Sequence, residues 1–412
     1  MSVEAIALLQ NKRVVLGVSG SIAAYKAVDL ASKLTQYGAE VDVIMTEAAQ
    51  KFVTPLTFQA VTGQTVYTDL WASNASGLAT HIAHVGLAET ADLLVIAPAT
   101  ADTLARLAGG FASDLLAITA LAARCPMVIA PAMDGGMYEH AATQENIEKL
   151  RQRGATIIEP EAGRFASGLT GRGRLPETTT LIGAIRLALG KRGKLAGKRV
   201  VITAGGTREA IDPVRYIGNR SSGKQGYALA QAALDAGAEV TLISSVQLPT
   251  PHGADLVSVE STREMLDAVL TACADADALI MAAAVADFRP QTAAAQKIKK
   301  TEANADGFSL SLERTEDILE AVKAARQQTG FPRIVVGFAA ESENLLANAR
   351  AKLERKGVDL LVANDITASD AGFSVDTNRV TLLTKEGDER LDLMSKAQAA
   401  EIVMGRVATL LG

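Results

Sequence analysis

Two clusters of residues in this chain have the types and spacing to act on phosphates. Asn219-Arg-Ser-Ser-Gly-Lys-Gln-Gly226 is a loop of small residues with interspersed cations, and Lys297-Ile-Lys-Lys300 adds a second cationic group. Small residues let backbone N–H groups approach an anion while the cations neutralise it, so the pair suits a nucleoside triphosphate and points to a nucleotide-using enzyme. A separate Gly-rich start, Gly17-Val-Ser-Gly-Ser-Ile-Ala-Ala24, follows the apolar run Arg13 to Leu16. It is either a second phosphate loop at a helix N-terminus or a plain tight turn from strand to helix. Ala97-Pro-Ala-Thr-Ala-Asp102 and Pro131-Ala-Met-Asp134 follow the apolar runs Leu93–Ile96 and Met127–Ala130, and the Thr100 hydroxyl can line the same crevice. Lys352 and Lys356 are four apart, hence on one helix face, where they either clamp a triphosphate or face solvent.

His81 and His84 are three residues apart, which admits a metal pair, a single general base or an ordinary histidine. With no Cys or carboxylate at ligand spacing, the base is the better of the two chemical readings. Gly163 to Arg174 is too rich in Gly and Arg for a helix and reads as a mobile loop able to close over an anionic substrate.

These residues need a frame that sets them at strand ends. Short β-branched runs alternate with Ala/Leu-rich helical segments: Val14–Leu16, Ile22 to Tyr37, Val41–Met45, Leu93–Ile96 and Met127–Ile129. The pattern restarts at Lys198–Thr203, continues through Val240–Ser244, Ala278–Met281, Ile334–Gly337 and Asp359–Ala363, and closes on a helix from Ser395 to Leu411. This is the alternation of an α/β fold with mainly parallel sheets, and ligands of such sheets bind at the carboxyl ends of the strands. At 412 residues and roughly 150 per domain, two domains are expected, joined in the Gly/Lys-rich stretch Gly190 to Gly197, with domains 1–190 and 191–412.

The net charge of −5, with both signs interspersed, argues against a nucleic-acid partner and leaves small anions as ligands. Cys125 and Cys273, both in apolar contexts, read as core residues of a reducing compartment. No apolar stretch approaches the ~20 residues of a membrane span, and Met1-Ser-Val-Glu-Ala has no basic leader. No membrane and a cytoplasmic location are therefore expected.

The motifs also carry a family resemblance. Gly17 to Lys26, Ala97 to Asp102 and Pro131 to Tyr138 resemble the flavin and substrate motifs of the phosphopantothenoylcysteine decarboxylases. The second half is similar to the phosphopantothenate–cysteine ligases through Thr203-Ala-Gly-Gly-Thr-Arg-Glu209, Asp212-Pro-Val-Arg-Tyr-Ile217, Asn219 to Gly226, Ala283 to Phe288 and Lys297 to Lys300. The order is that of the fused bacterial coenzyme A biosynthesis family, and nearly the whole chain is covered. The resemblance implies two Rossmann-like domains, an N-terminal flavodoxin-like flavoprotein domain and a C-terminal nucleotide-binding α/β domain.

For the first domain it implies FMN near Ser19, Gly20, Ser21, Thr46, Thr100, Ala101 and Asp102. The family's essential His matches His84 by its spacing to Ala91-Asp92, and His81 does not. Two positions depart from the family. Ser167 stands where a Cys usually protonates the ene-thiol intermediate, and a hydroxyl is a much weaker acid than a thiol. Asp134 replaces the usual Asn, so near a substrate carboxylate it needs a proton or a cation such as Arg172 or Arg174.

For the second domain the resemblance implies that CTP activates 4′-phosphopantothenate as an acyl-cytidylate, which cysteine then opens. Lys297 matches the lysine of the first step and Asn219 the Asn of the second, where it hydrogen-bonds the developing oxyanion. Ala282, Ala283, Asp287, Thr315, Glu316, Asp317, Ile318, Phe338, Lys352 and Lys356 match nucleotide positions, although Glu316 stands where Pro is commoner. Mg²⁺ accompanies CTP on this reading, with ligands left open. The product 4′-phosphopantothenoylcysteine then passes to decarboxylation, in a homo-oligomer built from ligase dimers and decarboxylase trimers. Two rival readings remain: a flavin- and nicotinamide-binding oxidoreductase, which lacks a complete G-x-G-x-x-G with its acidic partner, and an inactive regulatory flavoprotein, suggested by Ser167 and Asp134 alone.

Overall fold

The structure, a computed structural model, describes residues 4–71, 83–164, 168–299, 309–341, 345–365 and 377–412. The chain divides into two compact units, Met1–Gly190 and Lys191–Gly412.

The first unit runs β1 (Arg13–Val18), α1 (Ala24–Gln36), β2 (Glu40–Met45), α2 (Pro55–Thr62), β3 (Val66–Tyr67), α3 (Ala83–Thr90), β4 (Leu93–Ala99), α4 (Ala101–Gly109) and α5 (Leu115–Ala122). It continues with β5 (Met127–Pro131), α6 (Gly135–Glu139), α7 (Ala141–Gln152), β6 (Thr156–Ile157), the hairpin β7 (Glu161–Arg164) and β8 (Thr170–Arg174), and α8 (Thr178–Gly190). Six parallel strands lie in the order β3-β2-β1-β4-β5-β6. Such a sheet is covered on both faces, which is why β1 and β4 read as continuous apolar runs rather than alternating ones. Along β1, Val14, Leu16 and Val18 pack on one face against α1 and α8, while Val15 packs on the other with Leu104 of α4 and Leu116 of α5. Each such buried aliphatic side chain contributes about 1.5–3 kcal/mol.

The second unit opens with β9 (Arg199–Ala204), the hairpin β10 (Arg208–Ala210) and β11 (Tyr216–Gly218), α9 (Lys224–Asp235), β12 (Glu239–Ser244), β13 (Ala254–Ser258), α10 (Thr262–Ala272) and β14 (Ala278–Met281). The antiparallel pair β15 (Phe288–Pro290) and β16 (Leu312–Arg314) precedes α11 (Ile318–Thr329), β17 (Ile334–Glu341), α12 (Leu345–Lys356) and β18 (Leu360–Asp365). β19 (Thr377–Asn378), β20 (Val380–Leu383), β21 (Asp388–Arg390), β22 (Met394–Ser395) and α13 (Lys396–Leu411) complete it. The main sheet has the order β13-β12-β9-β14-β17-β18-β20-β21, parallel as far as β18 and antiparallel beyond. Both units are thus doubly wound, with the strand order reversing beside the first strand of each.

One sequence expectation changes form. The segment 163–174, expected as a mobile loop, instead contributes the end of β7 and all of β8 to a paired hairpin, with 165–167 outside the described residues. Antiparallel pairing satisfies the backbone of a Gly-rich stretch that no helix could hold. Among the described residues no helix is long and apolar enough to cross a membrane.

Candidate functional site

In the first unit the strand order reverses between β1 and β4, the place where doubly wound sheets open a crevice at the carboxyl ends of their strands. Ser19 ties these loops together. It is buried, its hydroxyl donates to Pro98 O at 2.7 Å, and it accepts the backbone N–H of Thr100 at 3.0 Å. Its side chain therefore shapes the crevice, with its donor already engaged. Gly20 lies so close to the loop after β2 that a Cβ there would stand 2.4 Å from Cβ of Ala48. Just beyond, α1 starts without a side-chain cap and with no acidic residue in its first turn, which leaves its positive end to an anion.

Thr46 fixes the β2 loop by accepting Ala49 N–H at 3.2 Å. Thr100 caps α4 through Thr103 N–H at 3.3 Å. Ala101 and Asp102 follow in the first turn, where exposed Asp102 pairs with Arg106 at 2.9 Å. Asp134, at the end of β5, caps α6 through Gly136 N–H at 3.2 Å. The β8 strand closes on this corner, Met133 N–H donating to Gly173 O at 2.9 Å.

Arg172, considered as a counter-ion for Asp134, pairs instead with Glu159 at 3.3 Å. Tyr138 donates to the same carboxylate at 2.6 Å, and burial, then the Glu159 bond and charge, push its phenol up to about 12. His84 sits in α3 with its Nδ1 buried and without a hydrogen-bond partner among the described residues. His81 and Ser167 lie outside the described residues.

These features fit FMN: an uncapped helix end behind a glycine that admits no Cβ, hydroxyls at three strand ends, and an orphaned imidazole nitrogen that a ligand can satisfy. Among the described residues no group of three His, Cys, Asp or Glu is placed to hold a metal.

The second unit holds a cavity of about 1050 Å³ bordered by β14, β17 and β18, with Met281, Phe338, Ala339 and Asn364 in its wall. Of the residues expected there, Asn219, Ala282, Ala283, Asp287, Thr315, Glu316, Asp317, Ile318, Phe338, Lys352 and Lys356 all line it. Lys297 is exposed and is not among the lining residues. The wall carries six cationic side chains, Arg220, Arg314, Lys352, Arg355, Lys356 and Lys396, against the three acids Asp287, Glu316 and Asp317. That excess, and the N-terminus of α9 behind Gly223 with no side-chain cap, suit a polyanion.

The loops after β9 and β14 are again cross-tied. Ala283 N–H donates to the Thr203 hydroxyl at 3.1 Å, and Ala284 N–H to Gly205 O at 2.8 Å. Asn219 joins the tie: its amide nitrogen donates to Ala284 O at 3.2 Å and Val285 O at 3.0 Å. Both N–H bonds are used, so Oδ1 is the atom left for a substrate.

Lys352 donates to Phe338 O at 3.0 Å. Lys356 bonds Asp317 and, at 3.2 Å, Glu320. Burial alone would raise the Asp317 carboxyl, but Lys356 and the backbone N–H groups of α11 outweigh it and hold it below the usual range.

Arg220, a cation of the loop singled out in the sequence, lines the cavity, whereas sequence reasoning missed Arg314, Arg355 and Lys396, although Arg314 and Arg355 directly precede residues it did single out. It also missed Asn378, a buried lining residue whose amide donates to Gln225 at 2.8 Å while its Oδ1 has no partner among the described residues. No motif marked it.

Comparison with known proteins places the units in sequence families. Residues 3–189 match the flavoprotein family, and residues 195–411 match the DNA/pantothenate metabolism flavoprotein C-terminal domain. The chain is 46% identical over 407 residues to the coenzyme A biosynthesis bifunctional protein CoaBC of Vibrio vulnificus, covering 98% of this chain and 99% of that one. It is 47% identical over 408 residues to its counterpart in Bacillus subtilis, covering 98% of each. A solved C-terminal domain of a coenzyme A biosynthesis bifunctional protein CoaBC is 37% identical over 53% of this chain and 98% of that one, with a TM-score of 0.44.

Proposed function

The chain belongs to the family of bifunctional coenzyme A biosynthesis proteins, in which a ligase is joined to an FMN-dependent decarboxylase, and from that membership we propose how its residues divide the work. The second unit forms an acyl-cytidylate from 4′-phosphopantothenate and CTP and opens it with cysteine. The first unit, residues 1–190, decarboxylates the resulting 4′-phosphopantothenoylcysteine. The observation that carries this reading is the cationic cavity, whose roughly 1050 Å³ exceeds the ~300–1,000 Å³ of an ordinary ligand pocket and leaves room for a triphosphate beside a second substrate.

In the ligase cavity the substrate carboxylate attacks the α-phosphorus of CTP and pyrophosphate leaves. Charge grows on the phosphoryl oxygens, and on this reading Lys352 and Arg355 of the cavity wall and the uncapped α9 N-terminus stabilise it. Lys297 joins them from its exposed segment. Mg²⁺ arrives on the nucleotide phosphates. In the second step the amine of cysteine attacks the acyl carbon and CMP leaves. Because both N–H bonds of Asn219 already serve Ala284 and Val285, its Oδ1 orients the incoming amine, in place of the oxyanion role that the resemblance suggested.

In the first unit FMN supplies the two-electron chemistry that allows carbon dioxide to leave from the cysteine end of the substrate. The α1 end and Gly20 would bind its phosphate, Thr46 and Thr100 would line its site, and His84 would hold or move a proton at its own Nδ1. Asp134 serves by capping α6, so its charge is directed at backbone N–H rather than at a substrate carboxylate. Ser167 is a poor proton donor, and water or a neighbouring group supplies that proton.

On the same reading the protein works as a homo-oligomer in the cytoplasm.

The test separates the two ligase steps. Lys297→Gln should abolish pyrophosphate release from CTP and 4′-phosphopantothenate, whereas Asn219→Asp should release pyrophosphate and accumulate the acyl-cytidylate. An aspartate there sets an oxygen against two carbonyl oxygens and loses the tie. If both variants stop at the same step, the division of roles is wrong.

A further inference from the structure

The sequence Asp212-Pro-Val-Arg215 forms the turn between β10 and β11, and its carboxylate does more than the turn requires. Oδ1 accepts the N–H of Val214 at 2.8 Å and of Arg215 at 2.9 Å, which closes the turn around Pro213. Oδ2 faces elsewhere: it accepts the N–H of Ile298 at 3.2 Å, from a segment 86 residues further along, with the Arg215 guanidinium at 3.4 Å. The neighbouring residue of the turn makes a second link, Ile211 O accepting the N–H of Ala294 at 2.9 Å. These bonds hold the chain on both sides of Lys297. The same hairpin runs directly into Asn219.

An asparagine would build the turn equally well, since the turn uses one oxygen. Only an aspartate supplies the second acceptor that reaches Ile298. Asp212 is buried, and although burial works against its charge, the N–H groups of Val214, Ile298 and Arg215 outweigh it and hold the carboxyl below its ordinary range. We propose that Asp212 is a positioning residue for the first ligase step, fixing through Ile298 the backbone from which Lys297 reaches the transferring phosphoryl group. The role rests on the assignment of Lys297 made above.

The experiment uses the full-length protein and reads pyrophosphate release in a single turnover with CTP and 4′-phosphopantothenate but no cysteine. A cysteine chase of preformed acyl-cytidylate and limited trypsin digestion accompany it. Asp212→Asn keeps the turn and loses the Ile298 link. It should slow pyrophosphate release at least about tenfold, the scale of a lost charge-assisted hydrogen bond. The cysteine chase should stay at the parent rate, and cleavage should appear after Lys297 or Lys299.

Ile298→Pro removes the same bond from the other side and should slow pyrophosphate release alike, with new cleavage after Lys299 only, since trypsin does not cut a Lys–Pro bond, and with the double variant no slower than the slower single one. Asp212→Asn with parental pyrophosphate release and an unchanged digest would overturn the proposal. So would equal losses in both steps, or effects of the two variants that multiply. Lys297→Gln is run alongside. If it releases pyrophosphate at the parent rate, the assignment of Lys297 falls and the positioning role of Asp212 with it, while the digest still decides whether the anchor exists.

Discussion

Replacing Gly206 by alanine tests how Asn219 is held, because the two backbones nearly touch. A Cβ on Gly206 would stand 2.6 Å from the carbonyl oxygen of Asn219 and 3.5 Å from Cβ of Ser221. Carbon and oxygen settle at about 3.3 Å or more, so Asn219 must retreat by roughly 0.7 Å. Its amide bonds to Val285 O and Ala284 O start at 3.0 and 3.2 Å, and a shift of that size carries both to the edge of hydrogen-bonding range. Overpacking of this kind costs about 1–3 kcal/mol, which corresponds to roughly five- to 150-fold in a rate that depends on the displaced group. The assay compares pyrophosphate release without cysteine and CMP release after a cysteine chase. The first should change little and the second should fall within that range, with acyl-cytidylate accumulating. Decarboxylation by the same chain serves as the control for folding. An unchanged chase rate, or equal losses in both steps, would refute the reasoning.

Gly20→Ala places a methyl 2.4 Å from Cβ of Ala48 and forces the β1 and β2 loops apart, so the purified variant should lose FMN, read from its yellow absorbance and from flavin titration; flavin bound as in the parent would remove Gly20 from the site. Tyr138 should titrate near pH 12 rather than its ordinary value near 10, when the ultraviolet tyrosinate band lost in Tyr138→Phe is followed. A raised phenol contributes stability that is complete below its unfolded value and is lost as the pH climbs through about 12, so Tyr138→Phe should flatten the alkaline limb between those values and leave stability at neutral pH insensitive to pH. If Tyr138 titrates at its ordinary value in the folded protein, neither its burial nor its contact with Glu159 is present.

The frame was legible because its signal is the strongest a sequence carries. Fully covered parallel strands must be apolar on both faces, and runs such as Val14–Leu16 and Ala278–Met281 stand out against the charged helices between them. What stayed hidden are contacts set by tertiary closure. Ser19 sits in a phosphate-loop pattern, yet its hydroxyl serves Pro98 and Thr100, because two diverging loops need a cross-tie that spacing along the chain does not reveal. Arg172 sits in a basic hairpin beside Asp134 in sequence logic, yet strand pairing turns it to Glu159. Lys356 was legible as a helix-face cation, but its bonds to Asp317 and Glu320 depend on α11 lying alongside α12. Asn378 had no signal at all, since a lone Asn on a two-residue strand looks like any turn.

The two units solve one mechanical problem in one way, and this bears on where their chemistry can sit. A doubly wound sheet creates its crevice by sending adjacent loops in opposite directions, which also leaves their backbone groups without neighbours. In the first unit the Ser19 hydroxyl bridges Pro98 O and Thr100 N–H. In the second the Thr203 hydroxyl takes Ala283 N–H, and Asn219 adds a clasp across Ala284 and Val285. A side chain holding such a clasp is already desolvated and oriented, so it brings only its remaining atoms to a substrate. That is why Asn219 has only an acceptor left over, why Ser19 shapes rather than donates, and why positive charge in the second unit's cavity comes from groups outside the clasp: Arg220, Arg314, Lys352, Arg355, Lys356, Lys396 and the α9 end.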